Sequence, residues 1–195
     1  LESLNSAVST GNQNLHIPTL SQEVGELFSF FIACQKPAVI LEFGSGIGAS
    51  VVWALRSNLN PSWDQFILTE RRQDCCLAFE QIPWPPSIKD TITFLAGEWS
   101  VDAITHALSG RKVDFFLVDG QKNQYLEVIN EIYPLLSDRG FIMIDNANWE
   151  NAQKVKSKSV QLALHAMHQH LLSDQRFIYQ FLPSVGDGLS LLLKR

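Results

Sequence analysis

Two short apolar runs, each ending on an aspartate and joined by a helical segment, constrain this chain more than any other feature in it. Val113-Asp114-Phe115-Phe116-Leu117-Val118 is β-branched and aromatic and stops at Asp119-Gly120, the pattern of a buried strand ending in a turn. Across residues 123–136 the positions Leu126, Val128, Ile129, Ile132, Leu135 and Leu136 recur at helical spacing, and Asp138-Arg139-Gly140 has the turn chemistry to close the segment. Phe141-Ile142-Met143-Ile144 then ends at Asp145-Asn146. Strand, helix and strand in that order make a right-handed parallel crossover, which puts both strand ends on one edge of a sheet. Asp119, Asp145 and Asn146 are therefore predicted to converge, although they are far apart along the chain.

The upstream half repeats this unit. Ala38-Val39-Ile40-Leu41-Glu42-Phe43 reads as a buried strand, and Gly44-Ser45-Gly46-Ile47-Gly48-Ala49 turns it into a helix. Glycines there let the backbone approach a ligand and let the helix pack on the strand. Alone, a Gly-Xaa-Gly-Xaa-Xaa-Ala match suits a dinucleotide as well as other nucleosides. Glu42 discriminates: a carboxylate just before the glycines repels a pyrophosphate and attracts the ammonium and sulfonium of S-adenosylmethionine. Phe66-Ile67-Leu68 leads to Glu70, placed to accept both ribose hydroxyls or to face the next helix. Thr91-Ile92-Thr93-Phe94-Leu95 alternates like a third strand and ends at Gly97-Glu98-Trp99, where Trp99 can line or stack on a base or simply fill the core.

The flanks are less informative. Residues 1–15 are rich in Ser, Asn and Gly and read as a flexible, weakly docked arm, leaving residues 16–195 as a single domain. Leu20, Val24, Leu27, Phe28, Phe31 and Ile32 form one helical stripe, predicted to cover an edge of the sheet or to meet a second copy in a homodimer. Lys154, Lys156 and Lys158 follow Trp149 as a substrate-side loop or a solvated face. A helix runs from Val160 through Leu171; its His165, His168 and His170 do not share a face and predict no metal site. Residues 176–182 and 189–193 close the chain as a hairpin around Pro183 and Gly186-Asp187-Gly188.

Composition narrows the classes. A net charge of −5 argues against a broad nucleic-acid or anionic-membrane footprint, since phosphate binding needs clustered Lys and Arg. Three cysteines, two of them adjacent, match no disulfide framework or spaced zinc motif, so the reducing cytoplasm is the expected setting. No apolar run is long enough to span a membrane.

Strands alternating with helices and a terminal hairpin, together with these motifs, resemble the class I S-adenosylmethionine-dependent methyltransferases. The nearer resemblance is to the cation-dependent O-methyltransferases typified by catechol and caffeoyl-CoA O-methyltransferases, and it covers residues 16–195. It rests on four elements. These are the loop from Glu42 through Ser50, the acid Glu70, the Asp-Xaa-Xaa-Lys-Xaa-Xaa-Tyr element from Asp119 through Tyr125, and Asp145-Asn146 followed by Trp149. The end, Leu182-Pro183-Ser184-Val185-Gly186-Asp187-Gly188, is similar to the family's Pro-Xaa-Gly-Asp-Gly close.

The resemblance implies a Rossmann-like α/β fold: a seven-stranded, mostly parallel sheet with an antiparallel C-terminal hairpin strand and helices on both faces. It implies S-adenosylmethionine at Glu42, Gly44, Ser45, Gly46, Ser50, Glu70, Gly97, Glu98, Trp99 and Asp119, a divalent cation, Mg²⁺ by preference, at Asp119, Asp145 and Asn146, and Lys122 as general base. The implied acceptor is a small catechol-like or phenolic hydroxyl. Three alternatives stay open: a tRNA hydroxyl as acceptor, a cofactor-binding protein without transfer, and an NAD-dependent oxidoreductase, which Glu42 disfavours. The chain departs from many members at Gly120-Gln121, where they carry Ala-Asp, and at Glu98-Trp99, where small residues are common.

Overall fold

The apolar runs pair edge to edge as expected. The computed structural model describes residues 1–57, 63–150 and 157–195. In chain order they form α1 (Glu2–Leu15), α2 (Gln22–Gln35), β1 (Val39–Phe43), α3 (Ala49–Ser57), β2 (Gln65–Glu70), α4 (Gln73–Gln81), α5 (Pro86–Lys89), β3 (Ile92–Ala96) and α6 (Val101–Leu108). The second half continues with β4 (Val113–Val118), α7 (Tyr125–Ile132), β5 (Leu136–Ile144), α8 (Lys158–Ser173), β6 (Phe177–Leu182) and β7 (Leu189–Lys194). The described strands make one seven-stranded sheet in the order β3-β2-β1-β4-β5-β7-β6. The pairs among β1 to β5 are parallel, whereas β7 runs antiparallel to both β5 and β6.

Both faces of the sheet are covered, which is why the central strands read as unbroken apolar runs rather than alternating ones. Ile40, Phe66, Leu68, Phe115 and Leu117 face the helices α1 to α5. Their neighbours Val39, Leu41, Ile67, Phe116 and Val118 face α6, α7 and α8. Truncating one such phenylalanine to alanine costs ~3–5 kcal/mol, so this packing is what holds the platform beneath the strand ends together.

Four local expectations need correction. Residues 1–15, expected as a flexible arm, form α1, which docks through Leu4, Val8 and Asn12. Packing of that i, i+4, i+8 stripe outweighs the poor helix propensity of Ser, Asn and Gly. The helix predicted over 123–136 is shorter: α7 is flanked by 3₁₀ turns at Lys122–Gln124 and Tyr133–Leu135, with Pro134 in the second. Asp138-Arg139-Gly140 lies inside β5, where Arg139 has φ 63° and the β4 to β5 register shifts, so the turn chemistry makes a bulge. Finally, α2 crosses a face of the sheet, not an edge, with Phe28 against Phe115 at 5.4 Å and Phe31 against Phe141 at 4.9 Å. Lys154 and Lys156 lie outside the described residues.

Register decides what stands at the sheet's C-terminal edge. Phe43 pairs with Thr69 and Val118, Val118 with Ile144, and Glu70 with Ala96. One step further along each strand stand Gly44, Glu70, Asp119 and Asp145, on adjacent strands about 4.8 Å apart. Backbone bonds continue the ladder past the strands: Asp119 N–H donates to Phe43 O at 2.9 Å and Asp145 N–H to Val118 O at 3.0 Å. The helices after β1 and β4 pack on opposite faces, so a crevice opens between those two strand ends, the switch point where such sheets bind ligands.

Candidate active site

The crevice is a cleft of about 320 Å³ bounded by Phe43, Gly44, Gly46, Glu70, Gly97 and Trp99 on one side and Asp119, Gly120, Lys122 and Asn146 on the other. Its floor depends on backbone contact between two turns. Gly44 has φ 86°, and a Cβ there would meet Gly120 Cα at 2.4 Å, so only glycine closes the turn so tightly. Glu70 ties the turns together: Oε2 accepts from Gly46 N–H at 2.9 Å and Oε1 from Arg72 N–H at 2.8 Å. Each carboxylate oxygen retains accepting capacity toward the cleft. Trp99 is held by stacking on Phe116 at 5.8 Å, by an edge contact with Phe43 at 5.0 Å, and by its indole N–H donating to Glu131 at 2.7 Å.

Beneath the glycine turn the polar residues turn away from the cleft. Ser50 donates its hydroxyl to Glu42, and Ser45 donates to Thr69 O at 3.3 Å. Glu42 is only 3 % exposed, and burial pushes its carboxyl up to about 8, a rise opposed by the Ser50 bond and supported by Asp119 and Glu70. These residues border a small chamber next to the cleft.

Asp119, Lys122, Asp145 and Asn146 meet at the other end. Burial and then the neighbouring Asp145 hold the Asp119 carboxyl well above the usual carboxylate range, with Lys122 opposing. Burial likewise raises Asp145 to about 6 against the Asn146 N–H, which it accepts at 2.7 Å, and against Lys122. Lys122 Nζ donates to Asn146 Oδ1 at 2.9 Å. Two mutually repelling carboxyls thus share one ammonium, and Asn146 reaches its place through a left-handed backbone, φ 52°.

A second cavity, about 860 Å³, opens on the far side of this cluster. Asp119, Lys122 and Asn146 line both spaces, so they form the wall between them. The outer wall comes from the start of α2, with Glu23 and Glu26, and from Asn148, Gly186 and Asp187. The hairpin turn clamps the loop after β5: Ala147 and Asn148 N–H donate to Gly188 O at 2.7 Å and Asp187 O at 3.0 Å. Gly188 has φ 88°, and a Cβ there would sit 2.5 Å from Asn148 Cβ. From α8, buried His168 donates Nε2–H to Ala147 O at 2.7 Å and accepts at Nδ1 from Tyr179; burial lowers its pKa and keeps it neutral.

Of the residues singled out from sequence, Gly44, Gly46, Glu70, Gly97, Glu98, Trp99 and Asp119 line the cleft. Asp119, Lys122 and Asn146 form the shared wall, with Asp145 buried behind it. Glu42, Ser45 and Ser50 are not brought to the cleft; they lie under it. Sequence reasoning missed Arg71, which lines the cleft together with Gln121, as well as Glu23, Glu26 and Asn12. Arg71 had a signal, since it follows the strand-end acid. The others depend on docking of distant segments and had none. Among the described residues no three His, Cys, Asp or Glu side chains gather as a metal site, so a cation here would rest on two carboxylates and an amide.

A family model of O-methyltransferases matches residues 7–195. No curated protein matches the chain. Among solved structures, the O-methyltransferase from Bacillus cereus in complex with S-adenosylhomocysteine is 16 % identical with a TM-score of 0.82, covering 100 % of this chain and 91 % of that one. TomG from Streptomyces achromogenes, an O-methyltransferase involved in tomaymycin synthesis and solved with S-adenosylmethionine, is 18 % identical with a TM-score of 0.80, covering 100 % and 90 %. The S-adenosylhomocysteine-bound methyltransferase PaMTH1 from Podospora anserina is 19 % identical with a TM-score of 0.81, covering 100 % and 88 %. The chain belongs to the O-methyltransferase family of S-adenosylmethionine-dependent enzymes.

Proposed function

We propose that the chain methylates a hydroxyl of a small catechol-like or phenolic acceptor, with S-adenosylmethionine in the smaller cleft, the acceptor in the larger cavity and a divalent cation at Asp119, Asp145 and Asn146. The observation that carries this reading is the wall of Asp119, Lys122 and Asn146 shared by the two spaces. Donor and acceptor bound on either side would meet across it, and alignment of oxygen, methyl and sulfur is most of what such a displacement requires. The outer cavity has a size typical of small-molecule sites and polar walls, so it suits an acceptor recognised through its oxygens. Glu23, Glu26 and Asp187 disfavour an anionic acceptor such as tRNA.

The donor set fits a hard divalent ion: two buried carboxyls and an amide oxygen, opposed by a single ammonium, leave a deficit of positive charge. When bound, such an ion would hold vicinal acceptor oxygens and lower the hydroxyl pKa. With the cation supplying the positive charge at this wall, Lys122 would accept the hydroxyl proton at Nζ. The acceptor oxygen bonds to the methyl carbon as the carbon–sulfur bond breaks, leaving the O-methyl product and S-adenosylhomocysteine. Glu70 positions the nucleoside through its ribose, and Trp99 forms the apolar side of the cleft. The cysteines Cys34, Cys75 and Cys76 are free thiols, which supports a reducing, cytoplasmic setting. Among the described residues no helix is long and apolar enough to cross a membrane.

The test is consumption of S-adenosylmethionine with and without chelator, over catechol, phenol, a caffeoyl-CoA ester and tRNA. Turnover of catechol that stops on chelation is expected. Binding of S-adenosylhomocysteine with no transfer to any acceptor would assign the chain to cofactor binding instead.

A further inference from the structure

Asn12, in the last turn of α1, is 5 % exposed, and its Nδ2 is buried with no hydrogen-bond partner among the described residues. Buried polar groups are nearly always satisfied, so an orphaned amide donor asks for an acceptor that arrives from outside the fold. Asn12 borders the chamber beneath the glycine turn, about 20 Å³, whose walls also include Thr19, Glu42, Ser45, Ser50 and Asp119. Gly44, Gly46, Ile17, Pro18 and Asp119 line both chamber and cleft, so the chamber is an annex of the cleft. Its volume exceeds the ~10–15 Å³ that one water-sized group requires and is far below that of a base or ribose. It admits the tip of a ligand, and that tip must accept from Asn12 while tolerating acids close by.

We propose that Asn12 is a cofactor ligand, its Nδ2 donating to the α-carboxylate of S-adenosylmethionine while the α-ammonium lies toward Glu42 and Asp119. A zwitterion matches because its carboxylate brings an acceptor for the amide into the annex while its ammonium, at the junction with the cleft, brings a donor for the acids. Helix α1 is thereby a wall of the donor site, anchored to it where Arg72 Nη2 donates to Leu15 O at 3.2 Å. This inference rests on the S-adenosylmethionine reading above.

The test compares S-adenosylhomocysteine with 5′-methylthioadenosine, which lacks the amino-acid end, by calorimetric titration of the full chain and its Asn12→Asp and Asn12→Leu variants. Asn12→Asp sets carboxylate against carboxylate and should weaken S-adenosylhomocysteine by about tenfold or more, leaving methylthioadenosine within about twofold. Asn12→Leu should lose affinity for S-adenosylhomocysteine alone while the melting temperature of the free protein holds or rises, because the orphaned donor is gone. Equal weakening of both ligands would overturn the proposal in favour of a packing role. Unchanged affinity for both would overturn it in favour of a single bridging water. Failure of the unsubstituted protein to bind either nucleoside would remove the underlying reading as well, and is distinguishable from the other two results.

Discussion

The two spaces that meet at Asp119, Lys122 and Asn146 are built in different ways. The smaller cleft is walled by the residues that end β1 to β4, and hydrogen-bonded register sets their positions. The outer cavity is assembled from the start of α2, the loop after β5 and the terminal hairpin turn, joined by contacts such as Gly186 N–H to Glu23 Oε2 at 3.0 Å. A rigid platform suits a donor that never changes. Loops clamped by a few bonds suit an acceptor site, because their residues can vary without disturbing the sheet.

That contrast can be broken at four places. Asp145→Ala strikes the shared wall and should abolish metal-dependent turnover while S-adenosylhomocysteine still binds; chelator sensitivity that survives in this variant would remove the carboxylate pair from the chemistry. The next largest effect is on stability. Glu42 has a folded pKa of about 8 against an ordinary 4.5, so the folded state binds the extra proton between those values. The Glu42 contribution to the stability of the free protein is therefore full below about pH 4.5 and is lost, a few kcal/mol in all, as pH rises from there through about 8. Asp145, raised to about 6, adds the same sign at lower pH. Urea denaturation at pH 5, 7 and 9 measures the slope, which Glu42→Gln should flatten.

Two smaller lesions separate the spaces. Glu70→Ala removes the carboxylate that holds the Gly46 and Arg72 N–H groups and should weaken S-adenosylhomocysteine by about 10- to 100-fold, with the acceptor KM unchanged. Gly188→Ala forces a side chain onto Asn148 at a left-handed backbone and should cost ~1–3 kcal/mol of stability by denaturant titration. It should raise the acceptor KM several-fold and leave donor affinity alone. If both variants shift donor and acceptor together, the two spaces are not independent modules.

Much of the smaller cleft was legible because it is local. An apolar run announces a strand, the acid or glycine after it marks the strand's end, and parallel crossovers bring those ends together without further information. Asp119 and Asp145 stand on neighbouring strands for that reason. The misreadings have a common cause in packing. Residues 1–15 have loop-like composition and yet form α1, since Leu4 and Val8 find a core to enter. Asp138-Arg139-Gly140 has turn chemistry and yet stays in β5, since the strand continues to pair on both sides of the bulge.

By itself the sequence determined the order of the strands along the chain, the residues at each strand end, and so the acids gathered at one edge of the sheet. Only the tertiary structure decided that Glu42 and Ser50 lie under the cleft, that Glu23 and Asp187 wall a second cavity, and that Asn12 borders the chamber next to the cleft. Strand ends are positioned by backbone register, which short stretches of chain encode. Cavity walls are positioned by the docking of segments remote in sequence, which no local pattern encodes.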